Sequence, residues 1–210
     1  MTLTSRKIRG FSLIEMMIVI GIGMTVAGIS VMALMPMLQE NHVDQSYDTT
    51  LSVLRNYRNL AIAQSQRYII TFTPATTTVP IIPASITVQN WQYAVPVSPA
   101  PTFVASYALP PDVTFGVQTI FPAAAPDAFG TGVTAIDFDQ NVPPGSANYV
   151  LFMPDGSSQD LTGNYNSGIL YITRPGDAYR SRALTVWGTT GRIRGWRIYN
   201  QSGANVWTQQ

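Results

Sequence analysis

From Phe11 to Met37 the chain carries a single charged residue, Glu15, in an otherwise uncharged and largely apolar run. Wound as a helix rising about 1.5 Å per residue, the run exceeds the roughly 30 Å hydrocarbon core of a bilayer. A helix that is apolar on every side needs lipid or other helices around it, so a membrane span is the first expectation. Ahead of it, MTLTSRKIRG holds Arg6, Lys7 and Arg9 and no acid, which predicts a cytoplasmic N-terminus and an exported remainder. The run is too long for a secretory signal, and no clear A-x-A site follows it. No second long apolar run is found, so one span with an exported body is expected.

The 210 residues suffice for one domain plus an appendage. Cysteine is absent, so disulfides cannot stabilise the body, and thiol catalysis and cysteine-type metal sites are excluded. The net charge of +1 conceals an uneven distribution. Residues 68–173 hold Asp112, Asp127, Asp137, Asp139, Asp155 and Asp160 and no Lys or Arg. Residues 174–210 hold six arginines against one acid, Asp177.

Beyond the span the pattern remains helical. Val43, Tyr47, Leu51, Leu54, Arg58 and Ala61 recur at steps of three and four, with Asp44, Asp48, Arg55 and Gln64 largely off the stripe. Pro36 predicts an interruption or bend near the membrane boundary. One long, slightly kinked helix is expected from Phe11 to Gln66, apolar all round in its first half and amphipathic in its second.

The amphipathic half requires something to lie against, and a sheet is predicted. Strands are expected over 67–74, 85–95, 112–121, 134–138, 148–153, 168–174, 182–188 and 192–200, where β-branched and aromatic residues cluster between turn residues. Pro154-Asp155-Gly156 marks a tight turn. Residues 74–130 hold most of the prolines and read as strands separated by long loops.

A basic leader ending in Gly10, then Phe11, Glu15 and a long apolar helix, written "RGFSLIEMMIVIGI", resembles the type IV prepilin N-terminus. The resemblance implies that prepilin peptidase cuts between Gly10 and Phe11 and that Phe11 is then N-methylated. It also implies that Glu15 neutralises the N-terminal amine of an adjacent subunit during assembly. A carboxylate mid-span costs about 2.5–3.5 kcal/mol on insertion scales, which such pairing reduces; the bland alternative is a glutamate snorkelling at the interface. The long helix, the β-rich body, "FMPDGSSQD" and "GTTGRIRGWRIYN" resemble the GspH/FimT group of pseudopilins and minor pilins. The implied fold is α+β and pilin-like, with the long N-terminal helix packed on a β-rich C-terminal domain. The expected divisions are a leader 1–10, a polymerisation helix 11–37, its amphipathic continuation 38–66 and a β-rich domain 67–210. The implied partners are prepilin peptidase, other pilins and the inner membrane, with export of the body and entry into a pilus or pseudopilus.

Gly191-Arg192-Ile193-Arg194 resembles the GRxR motif of minor pilins, some of which bind DNA. In an extended segment Arg192, Arg194 and Trp196 share one side and Arg197 the other. Guanidinium forks suit phosphates, and an indole suits stacking on a base. Arg174, Arg180 and Arg182 could widen the patch. Alternatively the arginines flank a closing strand and pair with the acidic middle of the chain. Asp137 and Asp139 read as a solvent face rather than a calcium site, and His42 reads as isolated polar surface. No phosphate loop, nucleophile elbow or HExxH motif is present, and no cofactor, metal or catalysis is expected.

Overall fold

The apolar stripe on the second half of the helix meets two antiparallel sheets. The computed structural model describes residues 12–91, 101–138 and 147–210, with residues 32–40 by backbone alone. Helix α1 runs Leu13–Gln64, and its helical backbone continues through Pro36, which therefore does not end it. The chain divides into two units, residues 1–39 and 40–210.

In the first unit, Leu13–Val31 is long and apolar enough to cross a membrane. Its side chains are exposed on every side, Leu13 at 79%, Met24 at 72% and Ile29 at 70%. Nothing lies within contact of the positions a β-carbon would take at Gly21, Gly23 or Gly28.

In the second unit the strands are β1 (Tyr68–Thr73), β2 (Ser85–Asn90), β3 (Thr102–Ala108), β4 (Thr114–Phe115), β5 (Ile136–Asp137) and β6 (Tyr149–Phe152). They continue as β7 (Ser158–Gln159), β8 (Gly168–Arg174), β9 (Asp177–Val186), β10 (Ile193–Gln201) and β11 (Ala204–Gln209). One sheet has the order β3-β2-β1-β6-β7 and the other β11-β10-β9-β8-β4, with β5 also on β8. Every described pairing between named strands is antiparallel.

The helical face carrying Val43, Tyr47, Val53, Leu54, Tyr57 and Ala61 joins Ile70, Phe72, Ile86, Val150, Phe152, Leu170, Ile172 and Leu184 in the main core. Asp44, Asp48, Arg55 and Gln64 stay exposed, as the periodicity predicts. Ser46 and Thr50 also face inward, each donating its hydroxyl to the carbonyl four residues back. That local bond makes a small polar residue tolerable inside. Where α1 crosses β10 the contact is close, because the Tyr47 hydroxyl fills the space above Gly195.

A second, smaller core lies around Ile169, Tyr171 and Ala183 on the β8–β9 surface, covered by Val117, Phe121, Phe129, Trp196 and Trp207. The proline-rich connection after β4 thus acts as a cover. Asn205 holds it by donating to the Ile120 carbonyl at 2.9 Å.

Several sequence expectations are corrected. The strand expected over 112–121 shrinks to Thr114–Phe115, because the residues after it turn over the sheet instead of pairing along it. β3 and β11 were not anticipated, and β9 begins five residues before the expected start at 182. Part of the strand expected over 85–95 lies outside the described residues, as does Asp139. Asp137 is buried and accepts from the Thr131 N–H at 3.3 Å, so it is not on a solvent face.

The turn at Pro154-Asp155-Gly156 joins β6 to β7 as expected. Gly156 has φ +82°, a conformation that favours glycine. Asp155 accepts from the Ser157 hydroxyl and N–H, which hold its carboxyl below the ordinary range. Asp160 caps the next loop. Burial pushes its carboxyl up, but four hydrogen bonds from Thr162 and Asn164 outweigh that and hold it low.

Candidate functional site

Two regions carry the residues singled out from sequence. The first is the start of α1. Gly10 and Phe11 lie outside the described residues; Glu15 sits in the first helical turn with its side chain exposed. An acid in the first turn complements the positive end of the helix. It is the only charge between Leu13 and Val31, among large apolar residues, glycines, Ala27, Thr25 and Ser30.

The second region is the arginine tract, and the structure sorts its members into different neighbourhoods. β10 begins only at Ile193, so the alternation of an extended strand does not reach Arg192. Gly191, at φ +59°, turns the chain just before it. A β-carbon there would also collide with the Gly156 carbonyl and with Arg58 Nε, so this glycine is required by both backbone and packing. The turn delivers Arg192 to a cleft of about 480 Å³ beside Arg55 and Arg58 of α1.

Arg194 goes elsewhere. Its guanidinium pairs with Asp127 at 2.6 Å and lies 5.5 Å from the Trp187 ring centroid. Asp127 is a hub, since its other oxygen accepts from the Thr185 hydroxyl at 2.6 Å and Trp187 Nε1 at 3.1 Å. Trp196 Nε1 donates in turn to the Thr185 hydroxyl at 3.1 Å. Arg194 and Trp196 therefore pin the covering connection to the sheet. Arg197 stacks its guanidinium on Tyr199 at 5.2 Å.

The remaining arginines of the basic end have acidic partners. Arg174 pairs with Asp112 at 3.3 Å and Arg180 with Asp177 at 2.9 Å. Arg182, only 4% exposed, pairs with Asp44 of α1, and burial pulls its guanidinium below the usual arginine range. Pairing with the acidic middle of the chain is thus found at Arg174 and Arg194. His42 is not isolated, because its Nδ1 contacts Asp112 at 2.7 Å and links α1 to the end of β8 through Arg174.

Arg55, Arg58 and Arg192 differ from these, since no carboxylate pairs with them among the described residues. Arg58 is fixed by donating to the Gly156 carbonyl at 3.1 Å and the Thr190 carbonyl at 2.8 Å. Sequence reasoning noted Arg58 only as a break in an apolar stripe, and that break was the available signal. Asp127 gave none, since its partners arrive from two distant strands. No group of three metal-ligating side chains occurs among the described residues.

A membrane-compatible helix leading into an α+β body is the class of architecture that pilin-like subunits share. Residues 5–31 match the family model described as the prokaryotic N-terminal methylation motif, which supports a type IV pilin or pseudopilin. No curated protein and no solved structure matches the chain.

Proposed function

We propose that this chain is a structural minor pilin or pseudopilin of the GspH/FimT type. Prepilin peptidase would cut it between Gly10 and Phe11 and methylate Phe11. The mature chain, held in the inner membrane with its body on the periplasmic side, then enters a type IV pilus or a type II secretion pseudopilus. Residues 11–37 form the polymerisation helix, 38–66 its amphipathic continuation and 67–210 the displayed domain. The observation that carries this reading is the methylation motif on a helix with exposed apolar side chains all round and a single acid, Glu15. Lipid tails are as apolar as these side chains, so close packing rather than transfer out of water joins neighbouring helices, and Glu15 then meets the amine of the next subunit. Mass spectrometry of the chain from cells with active peptidase tests it. The expected product begins at N-methylated Phe11; an intact Met1 chain overturns the reading.

A second reading, a DNA-binding minor pilin using the Gly191–Arg194 tract, is favoured by one observation. Arg192 is exposed beside two further arginines with no carboxylate among them. Arg194, Trp196 and Arg197, on β10 just after Arg192, would contribute from the neighbouring surface. Phosphate contacts would make binding fall steeply with salt. A mobility-shift titration with Arg192→Ala beside the unaltered chain tests it, and equal retardation by both overturns it.

A further inference from the structure

The turn at Gly191 and one turn of α1 bring three arginines to a single recess. Arg55 and Arg58 lie three residues apart, so they are neighbours on the helix surface, and Gly191 sets Arg192 beside them. Asn59 and Thr190 add neutral polar groups, while no acid and no aromatic ring lines the recess among the described residues. Arg58 donates Nε and Nη2 to the carbonyls of Gly156 and Thr190. Those bonds fix its guanidinium and leave Nη1 for a ligand. Arg55 and Arg192 are exposed, and no carboxylate pairs with either among the described residues. Like charges gathered in one recess focus a positive potential there. An anion of high charge on a small group matches it best.

We propose that this recess holds a phosphate monoester, the 5′-terminal phosphate of a nucleic-acid strand. The proposal rests on the DNA-binding reading and names the part of the strand that the site takes. A monoester carries a charge of about −1.5 to −2 at pH 7 and three strong acceptor oxygens. An internal phosphate carries a single charge and has fewer free oxygens. Three guanidinium groups therefore match the oxygens of a chain end one to one, through charge-assisted bonds. Shape favours the end as well. A terminal phosphate has no chain beyond it and can enter the recess, whereas a continuous backbone only passes over the mouth. With no ring in the lining to stack on, the recess reads the phosphate and not the base.

Fluorescence anisotropy of a 3′-labelled single strand, with the full chain in an uncharged detergent, tests this. The 5′-phosphorylated strand should bind about tenfold more tightly than the same strand ending in a 5′-hydroxyl, the worth of one further charge-assisted hydrogen bond. Arg55→Ala and Arg192→Ala, both at exposed side chains that the fold does not need, should each erase that difference. Lowering the pH from about 7.5 to about 5 should shrink it too, since the second phosphate proton binds near pH 6 and arginine is the only titrating residue in the lining. Equal binding of the two strands overturns the terminal-phosphate site and leaves the DNA-binding reading standing on internal phosphates. Failure of both strands to bind removes that reading as well. A preference that survives Arg55→Ala places the strand end elsewhere and overturns the proposal. Inorganic phosphate that displaces the phosphorylated strand at equal concentration makes the free ion the ligand and also overturns it.

Discussion

The phenolic oxygen of Tyr47, on α1, sits where a β-carbon on Gly195, in β10, would have to be. The helix therefore approaches the sheet at a distance only glycine permits. Arg58 makes a similar approach at Gly191. Both glycines of the Gly191–Gly195 tract are packing residues, and Arg194 between them is held by Asp127.

Gly195→Ala should force the helix and sheet apart. Overpacking of this kind costs about 1–3 kcal/mol, and the upper end is expected because Tyr47 is buried. Thermal unfolding of the full chain in detergent, followed by near-UV circular dichroism, measures it. Adding Tyr47→Phe should recover part of the loss, because it removes the nearest atom but leaves the ring.

Arg194→Ala should destabilise the body by about 3 kcal/mol, because it leaves the Asp127 carboxylate buried without its counter-charge. Asp127 is only 5% exposed at its side chain. The same variant should change Trp187 fluorescence, since the guanidinium lies against that ring. Arg192→Ala should leave stability within about 0.5 kcal/mol, as exposed substitutions usually do. A reversed order of the two losses would contradict the structural role given to Arg194.

The outcome at these arginines shows what a sequence can and cannot display. Periodicity is local, so the buried stripe from Val43 to Ala61 was legible, as was β8, which spans Gly168–Arg174 as expected. Turn chemistry was also legible at Pro154-Asp155-Gly156. Partnerships across the chain were not. Nothing near Arg194 announces Asp127, and nothing near His42 announces Asp112. β3 escaped notice because its residues are largely exposed and carry no alternation to read. The N-terminal motif was legible because its spacing is contained in one short segment, residues 5–31, which the family model matches.

Acid should weaken the body in a defined window. Asp155 and Asp160 both have folded-state carboxyls held below the ordinary range. The unfolded chain then binds protons more readily than the folded one, so stability rises with pH there. The contribution is fully present above the unfolded carboxylate value of about 3.9 and is lost as pH falls through the lower folded values. Asp160→Asn should lower stability at neutral pH and flatten the acid limb of a melting-temperature profile. An unchanged acid slope would show that the loop bonds do not control it.

Glu15→Leu should leave cleavage at Gly10–Phe11 intact and block incorporation. Removing one member of a buried charge pair costs about 2–5 kcal/mol, which is well over tenfold in assembly. The check is the ratio of processed chain in membranes to chain in sheared filament fractions. Normal incorporation of the leucine variant would remove Glu15 from the assembly step.

Arg58 hydrogen-bonds to carbonyls 98 and 132 residues further along the chain. Synthesis runs from the helix outward at about 5–20 residues per second, so the helix waits roughly ten seconds for those partners. During that interval only the sheet of order β3-β2-β1-β6-β7 is available to the stripe from Val43 to Ala61. The contacts of α1 with Gly191 and Gly195 close only when β10, the last strand but one, has been made. A ribosome stalled before Gly191 would leave a chain in which Tyr47 and Arg58 lack their contacts with the Gly191–Gly195 tract. The order of synthesis therefore leaves this helix–sheet junction to be sealed among the last.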